Sequence, residues 1–140
     1  MSAQAPLILL VEDSEDDAFF FRHALKRLKF SGTCVHVTNG QEAIDFLEQA
    51  RKDGQLPEMI FLDLKMPHLN GFEFLAWAGT QTFTPPLRII VLSGSDHEAD
   101  VQATRQLGAS EYLVKPISAH DLTDRLASLS IPCTEAKAAA

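Results

Sequence analysis

Three acids, a serine and a lysine stand where short apolar runs of this chain end. The run LILLV passes straight into Glu12 and Asp13. Asp63 closes the apolar run in FLDLKMP, Ser93 follows RIIVL, and Lys115-Pro116 follows EYLV. Each has an ordinary alternative role. Asp13 or Ser14 can cap a helix, Ser93 can be a loop hydroxyl, and Lys115 can be a solvated cation. Asp63 resists that treatment, because it interrupts the end of an otherwise apolar stretch.

If these residues meet, Glu12, Asp13 and Asp63 bring negative charge that Lys115 only partly offsets, and a divalent cation balances the sum. At about 5 Å and an effective dielectric near 20, each like-charged pair costs roughly 3 kcal/mol. Hard oxygen ligands in small number favour Mg2+ over Zn2+, which takes His and Cys. Asp13 and Asp63 would hold it directly, and Glu12 through water. A carboxylate beside a metal, an ammonium and a hydroxyl is suited to phosphoryl transfer. The carboxylate attacks phosphorus, while Lys115 and the Ser93 hydroxyl stabilise the phosphoryl oxygens. Asp63, at the end of a central strand, is the predicted nucleophile.

Such a site needs elements that converge. Short apolar or β-branched runs fall at Leu7–Val11, Thr33–Val37, Met59–Leu62, Arg88–Leu92 and Glu111–Val114. Helical spacing links Ala18, Phe21, Leu25 and Leu28, then Ala43, Leu47 and Ala50. Shorter faces follow at Phe74, Leu75 and Ala78, and at Val101, Thr104 and Leu107. The last runs through Leu122, Leu126 and Leu129, with Ser118 placed to cap it. Asn39-Gly40 resembles a hairpin turn, but the helix-spaced residues after it predict a strand-to-helix turn. Gly54 and Pro57 end the second helix. Strands alternating with helices predict an α/β fold: a five-stranded parallel sheet, doubly wound with five helices, of order 2-1-3-4-5. In that order the first and third strands flank the switch point, and the acids share one cleft at the carboxyl edge.

Composition narrows the function. The 140 residues are 46% hydrophobic and 22% charged, enough for one globular domain. A net charge of -7 argues against nucleic acid and against an anionic membrane surface. No run is long enough to span a bilayer, and the N-terminus lacks the basic flank of a signal peptide. Cys34 and Cys133 have no metal-ligand spacing and read as free thiols in a cytoplasmic protein. Phe19, Phe20 and Phe21 are consecutive, so at about 100° per residue they cannot all face the sheet. An exposed Phe beside the site suggests docking of a helical partner.

The order and spacing of VEDSEDD, NGQEAIDFL, FLDLKMPHLNGFEFL, VLSGSD and GASEYLVKP resemble the receiver domains of bacterial two-component response regulators. The resemblance implies a receiver domain over 7–130, with an extension over 1–6 and a tail over 131–140. It implies phosphorylation of Asp63 by a sensor histidine kinase, and Mg2+ held by Glu12, Asp13, Asp63 and the backbone carbonyl of Lys65. It further implies a cis peptide between Lys115 and Pro116 that aims the lysine, and a switch formed by Ser93 and Tyr112. Serine stands where threonine is commoner, so a methyl that packs in the switch is missing. The chain also looks like the stand-alone regulators paired with phytochrome-type sensor kinases. Its expected role is a phosphoacceptor rather than an enzyme, signalling through a downstream protein or passing phosphate onward. A homodimer through helix 4, strand 5 and helix 5 is admitted but not required.

Two other readings compete. Aspartate-nucleophile phosphatases use Asp, Mg2+, a hydroxyl and a lysine, but carry Asp-x-Asp on their first strand, whereas Glu15 stands two after Asp13 here. A receiver-like interaction module that is never phosphorylated would not need every acceptor residue, and all are present.

Overall fold

A computed structural model describes residues 6–129. The extension before Pro6 and the chain from 130 onward, with Cys133 and the frayed end expected for Thr134–Ala140, lie outside the described residues. The strands are β1 (Leu7–Val11), β2 (Thr33–Val37), β3 (Met59–Asp63), β4 (Ile89–Ser93) and β5 (Glu111–Val114). The helices are α1 (Glu15–Arg27), α2 (Gly40–Asp53), α3 (Gly71–Gly79), α4 (Glu98–Gln106) and α5 (Ala119–Leu126). All strand pairs are parallel and the sheet order is β2-β1-β3-β4-β5.

Side chains alternate across a strand, so a sheet buried on both faces has two cores. Ile8, Leu10, Met59, Phe61, Ile90 and Leu92 pack with α1 and α5 through Ala18, Phe21, Leu25, Leu122 and Leu126. Leu9, Val11, Ile60, Leu62, Ile89 and Val91 face the other way, onto Ala43, Ile44 and Leu47 of α2 and Phe74 and Leu75 of α3. Phe61 sits near the centre of the first core with its ring 4.8 Å from that of Phe21.

Local chemistry sets where the helices begin. Ser14 caps α1, its side chain accepting from Asp17 N at 3.2 Å, so Asp13 is not spent on that task. Asn39 caps α2 by accepting from Glu42 N, which makes Asn39-Gly40 a strand-to-helix turn. Asn70 and Glu73 form a reciprocal capping box at α3. Ser118 caps α5 through Asp121 N. Gly54 ends α2 at φ 73°, where a side chain would be strained. At α4 the N-cap residue His97 makes no side-chain capping bond.

Candidate functional site

The strand register assembles the site. Val11 lies opposite Leu62, so Glu12, just past β1, and Asp63, the last residue of β3, emerge side by side. Asp63 lies opposite Leu92, which precedes Ser93, and Ser93 lies opposite Val114, which precedes Lys115. The loop after Asp63 is pinned by main-chain contacts. Gly71 N donates to Leu64 O at 3.0 Å, and Gly40 N donates to Leu69 O at 2.7 Å. A Cβ on Gly71 would sit 2.5 Å from Asp63 O, and one on Gly40 would sit 2.5 Å from Leu69 O. Both approaches exclude a side chain.

Glu12, Asp13 and Asp63 offer carboxylate oxygens that all lie within 4.8 Å of one another. Glu12 and Asp63 are buried, and Asp13 is exposed at the mouth. Glu12 is held from several sides. Its Oε2 accepts from Ser14 N at 3.1 Å, its own N–H donates to Val37 O, and its carbonyl meets His36 Nε2 at 2.7 Å. Lys115 Nζ reaches Glu12 Oε1 at 2.7 Å, Asp17 Oδ2 at 2.8 Å and Asp63 Oδ1 at 3.3 Å. Burial first, then the charge of Glu12, pushes the Asp63 carboxyl up to about 6 from 3.8, although Lys115 pulls it down. Burial alone would lower the Lys115 ammonium. Its hydrogen bonds to Asp17 and Glu12, with the charges of Asp63 and Glu12, outweigh that and hold it above its usual value.

This donor set fits a hard divalent cation. Oxygens on one Mg2+ at about 2.1 Å lie no more than about 4.2 Å apart. Separations of up to 4.8 Å therefore need only a small closure, or a water between Glu12 and the ion. Among the described residues no His or Cys joins this cluster, which disfavours Zn2+. Lys65 stands two residues beyond Asp63 with its side chain exposed.

The remaining candidates gather on the β4 side. Ser93 is buried, and its Oγ accepts from Ser95 N at 3.1 Å, which leaves its own proton to give. Tyr112 is half-buried and donates from its hydroxyl to Ser95 O at 2.7 Å. Ser95 Oγ in turn donates to Asp100 Oδ2 at 3.0 Å, in the first turn of α4. Ser95 thus touches the strand hydroxyl, the aromatic and the following helix. The Lys115–Pro116 bond is cis, as is Thr84–Pro85.

Sequence reasoning missed two of these residues. Asp17 is a fourth acid at the site, and Ser95 a junction within it. Asp17 did carry a signal. Side chains on a helix lean toward its N-terminus, so an acid one turn past the Ser14 cap points back over the strand edge. Of the three consecutive phenylalanines, Phe21 is buried, while Phe19 and Phe20 are 64% and 66% exposed. Phe20 lines a groove with Asp17, Lys115, Pro116 and Ile117.

Known proteins share this architecture and about a third of the sequence. The response regulator receiver domain family matches residues 8–127. A probable methanogenesis regulatory protein, FilR2 of Methanothrix harundinacea, is 32% identical over 87% of this chain and 80% of its own length. The response regulator Rcp1 of Synechocystis is 32% identical over 83% of this chain and 80% of its own. Its structure in an Mn(2+)-bound form has a TM-score of 0.75 at 29% identity, covering 91% of this chain and 99% of that one. The phosphorylated cyanobacterial phytochrome response regulator RcpA has a TM-score of 0.74 at 30% identity, covering 86% of both chains. No helix among the described residues is long and apolar enough to cross a membrane.

Proposed function

The chain belongs to the response regulator receiver family, and from that premise we propose that Asp63 accepts a phosphoryl group from a sensor histidine kinase in a Mg2+-dependent reaction. The observation that carries this reading is the meeting of Glu12, Asp13 and Asp63 within 4.8 Å, with Lys115 Nζ 3.3 Å from the Asp63 carboxylate. An Asp63 oxygen attacks phosphorus, the bond to the donor's imidazole nitrogen breaks, and its electron pair leaves with the imidazole. Lys115 and the Ser93 hydroxyl stabilise the phosphoryl oxygens. Glu12, Asp13 and Asp63, with the Lys65 carbonyl, would hold Mg2+, which supplies charge neutralisation as phosphate is transferred. Loss of the carboxylate charge on Asp63 and gain of a phosphoryl dianion would draw Ser93 toward the new group. Through Ser95 that movement reaches Tyr112 and α4.

The protein acts as a phosphoacceptor in the cytoplasm rather than as an enzyme with turnover. Its output is contact with a downstream protein or onward phosphotransfer. The similarity to RcpA and Rcp1 supports a phytochrome-type kinase as donor. The test is incubation with Mg2+ and acetyl phosphate, read by intact mass as an acid-stable, base-labile adduct. Asp63→Asn should abolish the adduct, and a variant that labels as well as wild type refutes the assignment.

A further inference from the structure

We propose that Asp17 is a positioning residue for Lys115, holding its ammonium on the α1 side of the cleft and drawing it off Asp63. This rests on Asp63 being the phosphoacceptor. Lys115 Nζ lies 2.8 Å from Asp17 and 2.7 Å from Glu12 but 3.3 Å from Asp63, so its charge is already shared before a phosphoryl group arrives. The placement of Asp17 is built in, because its backbone N–H is bonded to the Ser14 cap and its helix begins at the strand edge. The Asp17 side chain is 43% exposed where that of Lys115 is 19% exposed, so the acid stands at the rim and the base beneath it. An incoming anionic donor meets the Asp17 charge first. The lysine it needs must then leave one carboxylate to serve another. Asp17 therefore restrains acceptance while adding negative charge that favours the metal.

These two effects have opposite signs, which separates positioning from damage. In Asp17→Asn, Mg2+ affinity should fall, because one negative charge is gone and Lys115 is less offset. The labelling rate by acetyl phosphate at saturating Mg2+ should rise. Each change should be roughly three- to fivefold, the size expected of a half-exposed ion pair, and both should shrink at high salt. Asp16→Asn removes an exposed neighbouring charge that makes no ion pair with Lys115 and should move both values far less. Calorimetric Mg2+ titration and intact-mass kinetics on the full chain read the two arms. A third readout needs neither metal nor phosphate. The reactivity of Lys115 toward an amine reagent, scored by peptide mass against exposed Lys26, should rise severalfold in Asp17→Asn. A labelling rate that is unchanged or falls along with Mg2+ affinity overturns the proposal, as does unaltered Lys115 reactivity. A wild-type protein that never labels overturns the phosphoacceptor reading alone, and the lysine reactivity still decides the role of Asp17.

Discussion

Asp63→Asn should stabilise the metal-free protein, and the structure sets the size of the effect. At up to 4.8 Å, each of the pairs Asp63–Glu12 and Asp63–Asp13 costs about 3.5 kcal/mol at an effective dielectric near 20. The Lys115 ammonium at 3.3 Å returns about 5 kcal/mol on the same scale. The remainder is about 2 kcal/mol against the charged form. Burial of the carboxylate adds to that remainder, and the carboxyl's rise from 3.8 to about 6, with burial its largest cause, corresponds to about 3 kcal/mol at 1.36 kcal/mol per unit. Between these two pH values the native state keeps a proton that the unfolded chain has lost. Wild-type stability therefore falls as pH rises through that window and levels off above it. Asn carries no such charge, so the two proteins should match near pH 3.8 and differ by about 2–3 kcal/mol at pH 7.5. Urea unfolding in EDTA, followed by fluorescence of Trp77 and by circular dichroism, measures the gap. Added Mg2+ should close it, because the ion stabilises the form that binds it. An Asn variant no more stable than wild type at pH 7.5 in EDTA, or a gap that ignores pH, refutes the electrostatic account.

The remaining expectations concern packing, capping, the switch and the metal. Phe61→Ala empties the centre of a core and should lower unfolding free energy by about 3–5 kcal/mol in urea. Phe19→Ala, on an exposed side chain, should stay within about 0.5 kcal/mol. Ser14→Ala removes the α1 cap and should cost about 1 kcal/mol, seen in the same assay. Tyr112→Phe deletes the hydrogen bond to Ser95 O and should lower stability by about 1 kcal/mol, leaving phosphodonor labelling of Asp63 intact. Stripping divalent ions with EDTA should stop that labelling, and excess Mg2+ should restore it.

Much of this architecture was legible because burial on both faces writes β-branched and aliphatic runs directly into the chain. β1, β2 and β5 begin and end where their apolar runs do. β3 runs one residue further, onto Asp63, and β4 is displaced by one, beginning at Ile89 rather than Arg88 and ending on Ser93, because the backbone keeps pairing after the side chains turn polar. That extension is what lines up the acids, the serine and the lysine. Asn39-Gly40 was decided by the helical spacing beyond it, not by the dipeptide. The choice between Asp13 and Ser14 as cap needed coordinates, since either side chain can accept from the first turn. Asp17 escaped notice because acids in a first helical turn are common for reasons of dipole alone. Its partner lies 98 residues away in the chain, and no local pattern announces that pairing. Ser95 was hidden similarly, since two of its contacts are made by its backbone.

The span of those contacts has a consequence for biosynthesis. The lysine's three carboxylate partners come from the beginning and middle of the chain, whereas the lysine follows the last strand. On the proposed reading, no fragment emerging early during translation carries a complete acceptor site. Phosphorylation of Asp63 would be reserved for molecules in which Lys115 has joined the three carboxylates, and a donor kinase would be spared from spending phosphate on nascent or misassembled copies.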